Sequence, residues 1–270
     1  MRVRASLLLC VASLSAAVAA QTASGSSAAP ARQAAVGIHP AALSAVAKLI
    51  LASTRESASA QVLGARARHR PRPHRLAVVR GRVALSTRPG GPARLRLGST
   101  TGFGSRRVLA VAAQRGDWLG VVTTERPNNR LGWVRRKSGG LQLRRTRWSL
   151  HADLSARRLT LRKGRRKVHR VTVAIGRRGS ETPTGRFAVT DKLSGSRFGS
   201  YYGCCILALS GKQPNTPPGW TGGNRLAIHG TNAPSTIGAA ASAGCLRAAD
   251  TDLRVLMARV PLGTPVFIRR

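Results

Sequence analysis

The stretch "LAIHGTNAPSTIGAAASAGCLRAAD", residues 226–250, contains one histidine, His229, and one cysteine, Cys245, among residues that are mostly small and uncharged. The apolar run before the histidine predicts a strand, whose end would be a rigid place for a side chain. The segment "LRAADTDLRVLMARV" after the cysteine predicts the start of a helix. The stretch therefore indicates a β-rich fold with a short helix behind the cysteine.

Strand patterns continue on both sides of this stretch. Apolar residues between 154 and 175 predict two strands joined by a turn at Lys163–Gly164, and "RFAVT" at 186–190 predicts another strand. The chain ends with a predicted short helix through Arg259, a turn at 261–263 and a last strand. The chain is thus predicted to stay β-rich to its last residue.

The residues from Leu76 to about Leu143 form short β-branched runs divided by turn sequences such as Gly116–Asp117. This pattern predicts a small β-barrel, and a resemblance in two of its pieces implies that residues 75–147 are a small SH3-like β domain. The pieces "RGDWLGVV" and "GWV" are similar to bacterial SH3-like modules of wall proteins. Their tryptophans, Trp118 and Trp133, are more typical of the core of such a barrel than of a ligand-binding surface.

The chain is strongly basic. Its 270 residues include 46 Lys and Arg against 8 Asp and Glu, which gives a formal net charge of +38. Because 42% of the residues are hydrophobic, the chain can bury a core, and this excludes disorder throughout. So large a positive charge favours polyanionic surroundings.

The first residues predict export. Arg2 and Arg4 precede an apolar run that closes with small residues, which is typical of a signal peptide at residues 1–20. Residues 21–74 predict a Ser/Ala/Pro/Arg-rich tether with a short helix at 39–60. We therefore expect the protein in the cell wall or periplasmic space of a bacterium, with anionic cell-wall polymers as partners, no nucleic acid, and no stable membrane span after signal cleavage.

The histidine and the cysteine predict nucleophilic chemistry. A cysteine nucleophile needs a nearby base and backbone N–H groups directed at the developing oxyanion. Gly244 permits a sharp turn before Cys245, and the dipole of the following helix is expected to lower the pKa of the thiol. Since the sequence has no HExxH, CxxC or P-loop motif, we expect neither a metal site nor a cofactor.

The pairing of the cysteines is left open by the sequence. In an exported protein, Cys245 could form a disulfide with Cys204 or Cys205. Removal of Cys10 with the signal peptide leaves three cysteines, so at least one thiol stays free or pairs between chains. A bond between the adjacent Cys204 and Cys205 would leave Cys245 as the free thiol.

Four motifs, in order along residues 150–270, resemble the catalytic domain of L,D-transpeptidases of the YkuD type (ErfK/YbiS/YcfS/YnhG family). The motifs are "TPTGRF" at 182–187, "LAIHG" at 226–230, "SAGCLR" at 242–247 and "GTPVFI" at 263–268. The resemblance implies a YkuD-like β-sandwich or barrel at residues 148–270, with a short helix after the catalytic cysteine.

The resemblance also implies roles for single residues. Cys245 matches the nucleophile of the family and His229 the general base and acid, and the backbone carbonyl of Gly230 is placed to orient the imidazole. The backbone N–H groups of Gly244 and Cys245 would bind the oxyanion.

The resemblance further implies substrate contacts at Ser242 and Arg247, which match motif positions near the substrate. One departure from the family pattern is Ala243, because many members have a second histidine at this place. The departure bears on the fit of the substrate more than on the nucleophile.

The implied reaction is acyl transfer on peptidoglycan stem peptides. The cysteine would form a thioester with a tetrapeptide stem and release D-Ala, and an amine of a second stem would complete a 3→3 cross-link. Family members are also acylated by carbapenems at this cysteine. An L,D-carboxypeptidase-type hydrolase on the same fold and a non-catalytic basic cell-wall-binding protein remain as alternatives.

The segment at residues 198–223 is a candidate lid over Cys245. It is long and rich in glycine and proline, which is typical of loops that close over an active site.

Overall fold

A computed structural model gives the structure of residues 72–270, which lie in one compact unit. The predicted signal peptide at 1–20, the helix predicted at 39–60 and the predicted tether up to residue 71 lie outside the described residues. Within the described part of the chain, no helix has the length and apolar character needed to cross a membrane.

The first part of the described chain forms one antiparallel sheet around its own apolar core. Its strands are β1 His74–Val79, β2 Val83–Ser86, β3 Ala93–Leu97, β4 Val108–Arg115, β5 Trp118–Val122, β6 Gly132–Arg135 and β7 Leu141–Thr146. The strand order is β3-β2-β6-β5-β4-β1-β7. Trp133 is buried as predicted, whereas Trp118 is only partly buried.

The second part forms an eight-stranded sheet of order β10-β9-β8-β17-β12-β13-β14-β16. Its strands are β8 Trp148–Asp153, β9 Arg158–Lys163, β10 Arg166–Thr172, β12 Gly185–Ser194, β13 Cys205–Lys212, β14 Arg225–His229, β16 Leu246–Arg247 and β17 Pro265–Arg269. The short strands β11 Ile175–Gly176 and β15 Ala240–Ser242 form a separate parallel pair. The prediction of a mainly β fold is confirmed, while the domain boundary at residue 147 stays a prediction.

One α-helix is present in the described residues. Helix α1 spans Asp250–Arg259 and packs against β13, with Leu253 and Leu256 buried in the main core. It begins shortly after the cysteine and ends at Arg259, so the predicted short helix is confirmed. The turn and last strand predicted after it are also present, as β17.

The region between residues 154 and 175, predicted as two strands, begins with a turn and not with a strand. A turn at residues 154–157, in which Arg157 has a positive φ of 48°, separates β8 from β9. Leu154 packs against the main core from this turn, so the apolar pattern continues beyond the end of β8. The pattern therefore did not reveal where the strand ends.

Strand β13 divides the second part into two apolar clusters. Successive side chains of a strand point to opposite faces of its sheet. Accordingly, Leu207 and Leu209 enter the main core, whereas Ile206 and Ala208 enter a smaller cluster against which Cys245 packs. The smaller cluster marks the face of the sheet that carries the candidate site.

Hydrogen bonds join the two sheets near this face. The side chain of Asn128 donates to the carbonyl of Lys212 (2.6 Å) and accepts the N–H of the same residue (2.9 Å). The neighbouring Asn129 donates to the carbonyl of Thr184 (3.1 Å) and accepts the N–H of Arg186 (3.3 Å). The loop between β5 and β6 is thus fixed to the end of β13.

We expect Asn128→Ala to lower the free energy of unfolding by about 1–2 kcal/mol, because both hydrogen bonds to Lys212 are lost. Urea unfolding followed by tryptophan fluorescence measures the change. Lys137→Ala, at an exposed position, is the control and should change stability by less than about 0.5 kcal/mol. Equal stability of the two variants would contradict a contribution from this contact.

Candidate active site

Strand β14 places His229. Leu226 and Ile228 are buried in the main core, so Ala227 and His229 point to the other face of the strand. The imidazole is fully buried, and its Nδ1 lies 2.6 Å from the carbonyl oxygen of Gly230. Because a carbonyl can only accept, the proton is on Nδ1, and Nε2 keeps a free lone pair.

The turn that carries Cys245 is held by Ser242 and shaped by Gly244. The hydroxyl of Ser242 donates to the carbonyl of Cys245 (2.6 Å) and accepts the N–H of Gly244 (3.1 Å). Gly244 has a φ of +118°, and a Cβ at this position would overlap Nε2 of Gln213, so the turn requires glycine. The oxyanion role predicted for the Gly244 N–H does not fit this turn, because that N–H is already bonded. The amide of Cys245 remains for that role.

Gln213 fastens the same turn to a second loop. Its Nε2 donates to the carbonyls of Ser180 (3.1 Å), Glu181 (3.0 Å) and Ala243 (3.2 Å), and its Oε1 accepts the N–H of Asn215 (3.1 Å). The residue is 5% exposed. Sequence reasoning missed Gln213, because its flanking residues are those of an ordinary polar loop.

His229 and Cys245 line the same cavity, of about 30 Å³. Its other walls come mainly from residues 201–202 and 213–225. The segment 198–223 is therefore not one continuous lid, because its middle forms the buried strand β13. Only the two parts that flank this strand reach the cavity.

Burial sets the protonation states in this cavity. It raises the pKa of the Cys245 thiol to about 11, against the opposing effects of a backbone hydrogen bond from Ala227 and the charge of Arg247. Burial also lowers the pKa of His229 to about 4, against the hydrogen bond to Gly230 and with some help from Arg247. At neutral pH the resting site therefore holds a neutral thiol and a neutral imidazole.

The predicted effect of the helix dipole on the thiol is wrong. Helix α1 begins at Asp250, and strand β16 lies between it and Cys245. The effect of a helix dipole falls off within the first turn, whereas burial acts directly on the thiolate. The pKa of the thiol is therefore raised and not lowered.

The thiol of Cys245 and the imidazole of His229 are not hydrogen-bonded to each other. The S–H of Cys245 donates to the carbonyl of Arg225, with an Sγ···O distance of 3.8 Å. Nε2 of His229 is buried and has no hydrogen-bond partner among residues 72–270.

The two predicted substrate contacts differ in their surroundings. Arg247 is buried, and its guanidinium lies 5.8 Å from the ring centroid of Tyr201, a residue that lines the cavity. The Nε of Arg247 has no hydrogen-bond partner among the described residues. Ser242 is buried too, but its hydroxyl is engaged inside the turn. Arg247 therefore supplies positive charge beside the cavity, while Ser242 holds the backbone of the nucleophile.

A disulfide supports the backbone behind His229. Cys204 and Cys205 are bonded to each other, and Cys245 is free. The N–H of Cys204 donates to Oδ2 of Asp250 (2.9 Å), and the carbonyl of Cys205 accepts the N–H of Gly230 (3.0 Å). The carboxylate of Asp250, the first residue of helix α1, thus orders the segment that leads to the site.

Residues 147–268 match the family model of the YkuD L,D-transpeptidase catalytic domain. Among curated sequences, this chain is similar to two proteins named "Putative L,D-transpeptidase YkuD". The protein from Bacillus subtilis is 34% identical over 46% of this chain and 66% of its own length. The protein from Bacillus licheniformis is 35% identical over 45% of this chain and 65% of its own length. The chain thus spans just under two thirds of these relatives.

Solved structures of L,D-transpeptidases share less sequence identity with this chain than these two relatives do. An L,D-transpeptidase from Mycobacterium smegmatis is 13% identical and superposes with a TM-score of 0.39. The likeness covers 70% of this chain and 99% of the M. smegmatis chain. L,D-transpeptidase 3 from Mycobacterium tuberculosis, in complex with a faropenem-derived adduct, is 17% identical and superposes with a TM-score of 0.36. The likeness covers 52% of this chain and 73% of the M. tuberculosis chain. The match in sequence covers residues 147–268, and no argument rests on these superpositions.

We expect the alkylation rate of Cys245 by iodoacetamide to rise about tenfold per pH unit from about pH 7 to about pH 10, because only the thiolate reacts and its pKa is about 11. No step should occur near neutral pH, because His229, with a pKa of about 4, stays uncharged throughout. Mass spectrometry measures the rate, and Cys245→Ala gives the background. A rate that is independent of pH in this range would reveal a resting thiolate and contradict the assignment.

We expect Gln213→Leu to lower the free energy of unfolding by about 1–3 kcal/mol, because three carbonyls at buried or partly buried contacts lose their donor. Urea unfolding measures the loss. The matched control is Gln142→Leu, which removes only two exposed hydrogen bonds from Arg80 and should cost less than about 0.5 kcal/mol. If both variants lose the same stability, the carbonyl contacts of Gln213 do not fasten the turn.

Proposed function

Because residues 147–268 match the family model of the YkuD L,D-transpeptidase catalytic domain, we propose that the protein is a cysteine acyltransferase acting on peptidoglycan stem peptides. The observation that most supports this proposal is the cavity shared by Cys245 and His229. There the Nδ1–H of the imidazole is bonded to Gly230, and Nε2 is unpaired. An imidazole held in this tautomer can accept the proton of a nearby thiol.

Acylation begins with both groups neutral. The S–H of Cys245 exchanges the Arg225 carbonyl for Nε2 of His229 as its hydrogen-bond acceptor. The proton passes to Nε2 while Sγ attacks the carbonyl carbon of the donor peptide bond. The N–H of Cys245 stabilises the negative charge that develops on the carbonyl oxygen.

The acyl-enzyme then forms as the C–N bond breaks. The imidazolium of His229 gives its proton to the leaving amine, which departs as D-Ala, and a thioester to Cys245 remains. The carbonyl of Gly230 stabilises the transient positive charge of the imidazolium through its bond to Nδ1. A side-chain amine of a second stem resolves the thioester and gives a 3→3 cross-link.

The charge of the protein fits an anionic substrate and location. Arg247 lies beside the cavity without a partner for its Nε among the described residues, and the whole chain carries a formal charge of +38. We propose that the exported protein is held at the cell wall by anionic polymers, an attraction that salt would weaken.

Intact mass of the protein after incubation with meropenem tests the proposed nucleophile. We expect a single covalent adduct on the wild type, because the cavity delivers the proton of Cys245 to His229. Cys245→Ala should give no adduct, and His229→Ala should slow its formation by about 100-fold or more, since general-base catalysis contributes about that factor.

Release of D-Ala from a tetrapeptide stem, measured on the same preparations, tests the reaction itself. Product formation without added amine would instead favour the hydrolase alternative. If the reduced wild type forms neither adduct nor product, the transpeptidase proposal is contradicted and the non-catalytic wall-binding alternative replaces it.

A further inference from the structure

Two exposed aromatic side chains, one from each sheet, meet beside the active-site cavity. Phe103 lies in the loop between β3 and β4, and Phe198 lies between β12 and β13. Their ring centroids are 5.9 Å apart with an edge-to-face angle of 86°. Each is 39% exposed, although large apolar side chains are mostly buried elsewhere in the described chain. This pair is called the Phe103–Phe198 platform.

The platform is continuous with the histidine side of the cavity. Phe198 lies 6.2 Å from the ring of Tyr202, and Tyr202 lies 5.0 Å from the imidazole of His229. Tyr202 and His229 both line the cavity. The ring of Tyr202 therefore connects the platform to the part of the cavity wall that His229 forms.

Positive charge borders the platform. The guanidinium of Arg225 lies 5.7 Å from the ring centroid of Phe103, and that of Arg197 lies 6.0 Å from the ring centroid of Phe198. Arg197 forms no salt bridge with any carboxylate among residues 72–270. An aromatic surface beside a guanidinium that has no carboxylate partner is suited to a peptide ligand with both apolar segments and carboxylates.

We infer that the Phe103–Phe198 platform binds the acceptor stem peptide, an inference that rests on the proposed transpeptidase function. In that reaction the leaving amine takes its proton from His229, and the incoming amine gives a proton to the same Nε2. The acceptor must therefore reach the thioester on the imidazole side, where the platform lies. Through Phe103 the first sheet supplies part of the binding surface for the second substrate.

The step that the platform would serve is aminolysis of the thioester. The acceptor nitrogen forms a bond to the acyl carbon as His229 removes one of its protons, and the C–S bond breaks. The sulfur takes that proton back from Nε2, so the neutral thiol and neutral imidazole are restored. Water competes for the same acyl carbon and gives hydrolysis.

The partition of the acyl-enzyme between amine and water tests the inference on the full chain. The probes are a stem tetrapeptide as donor and a synthetic stem peptide with a side-chain amine and free carboxylates as acceptor. At a subsaturating acceptor concentration we expect Phe103→Ala and Phe198→Ala each to lower the ratio of aminolysis to hydrolysis about five- to tenfold, the size of one lost aromatic contact. Acylation by meropenem, which occurs before the acceptor binds, should change by less than about twofold.

Leu143→Ala is the matched control, because Leu143 is 41% exposed on β7 and lies outside the platform. It should leave the ratio unchanged. Arg197→Gln gives a second test that removes no apolar contact between the sheets. It should reduce the preference for the acceptor over an analogue whose carboxylates are amidated.

Two results would overturn the inference. One is an unchanged partition ratio in both phenylalanine variants while acylation by meropenem proceeds as in the wild type. The other is an equal loss of acylation and aminolysis, which would mean that the platform only supports the fold. A wild type that is not acylated at all would instead remove the proposed function on which the inference rests.

Discussion

The parallel pairing of β14 with β16 is the contact on which the candidate site depends. It sets Ile228 opposite Leu246 and His229 opposite Arg247, and Cys245 directly precedes the paired residues. A shift of one residue in this register would turn His229 into the main core, because side chains alternate along a strand. The buried side chains of Leu226 and Ile228 fix the register, so core packing and the position of the base have the same cause.

Burial, and not the charge of the protein, dominates the chemistry of the cavity. Arg247 acts to lower the pKa values of both Cys245 and His229. Nevertheless, the pKa of the thiol is about 11, because loss of solvation outweighs the attraction of a nearby cation. The site therefore starts from two neutral groups, and charge separation is confined to the moment when a substrate is attacked. The basic surface acts at longer range, on where the protein is held and which substrates approach.

The four motifs and the strand patterns predicted much of the fold and the site. They predicted the mainly β architecture, the short helix after Cys245 and the strand that ends at His229, because these depend on local apolar periodicity. The same patterns misjudged the hairpin near Leu154 and the segment at 198–223. There, apolar residues in a turn and glycines at the ends of a buried strand gave misleading local signals.

The sequence by itself determined the identity of the chemical groups: one histidine and one cysteine at family spacing, and a glycine before the cysteine. Only the tertiary structure decided how these groups behave. It brought Gln213 under the turn, used the N–H of Gly244 within that turn, and surrounded Cys245 with enough protein to raise the pKa of its thiol. These features depend on contacts between residues that are distant in the chain, and solvation is a property of the packed site and not of any one residue.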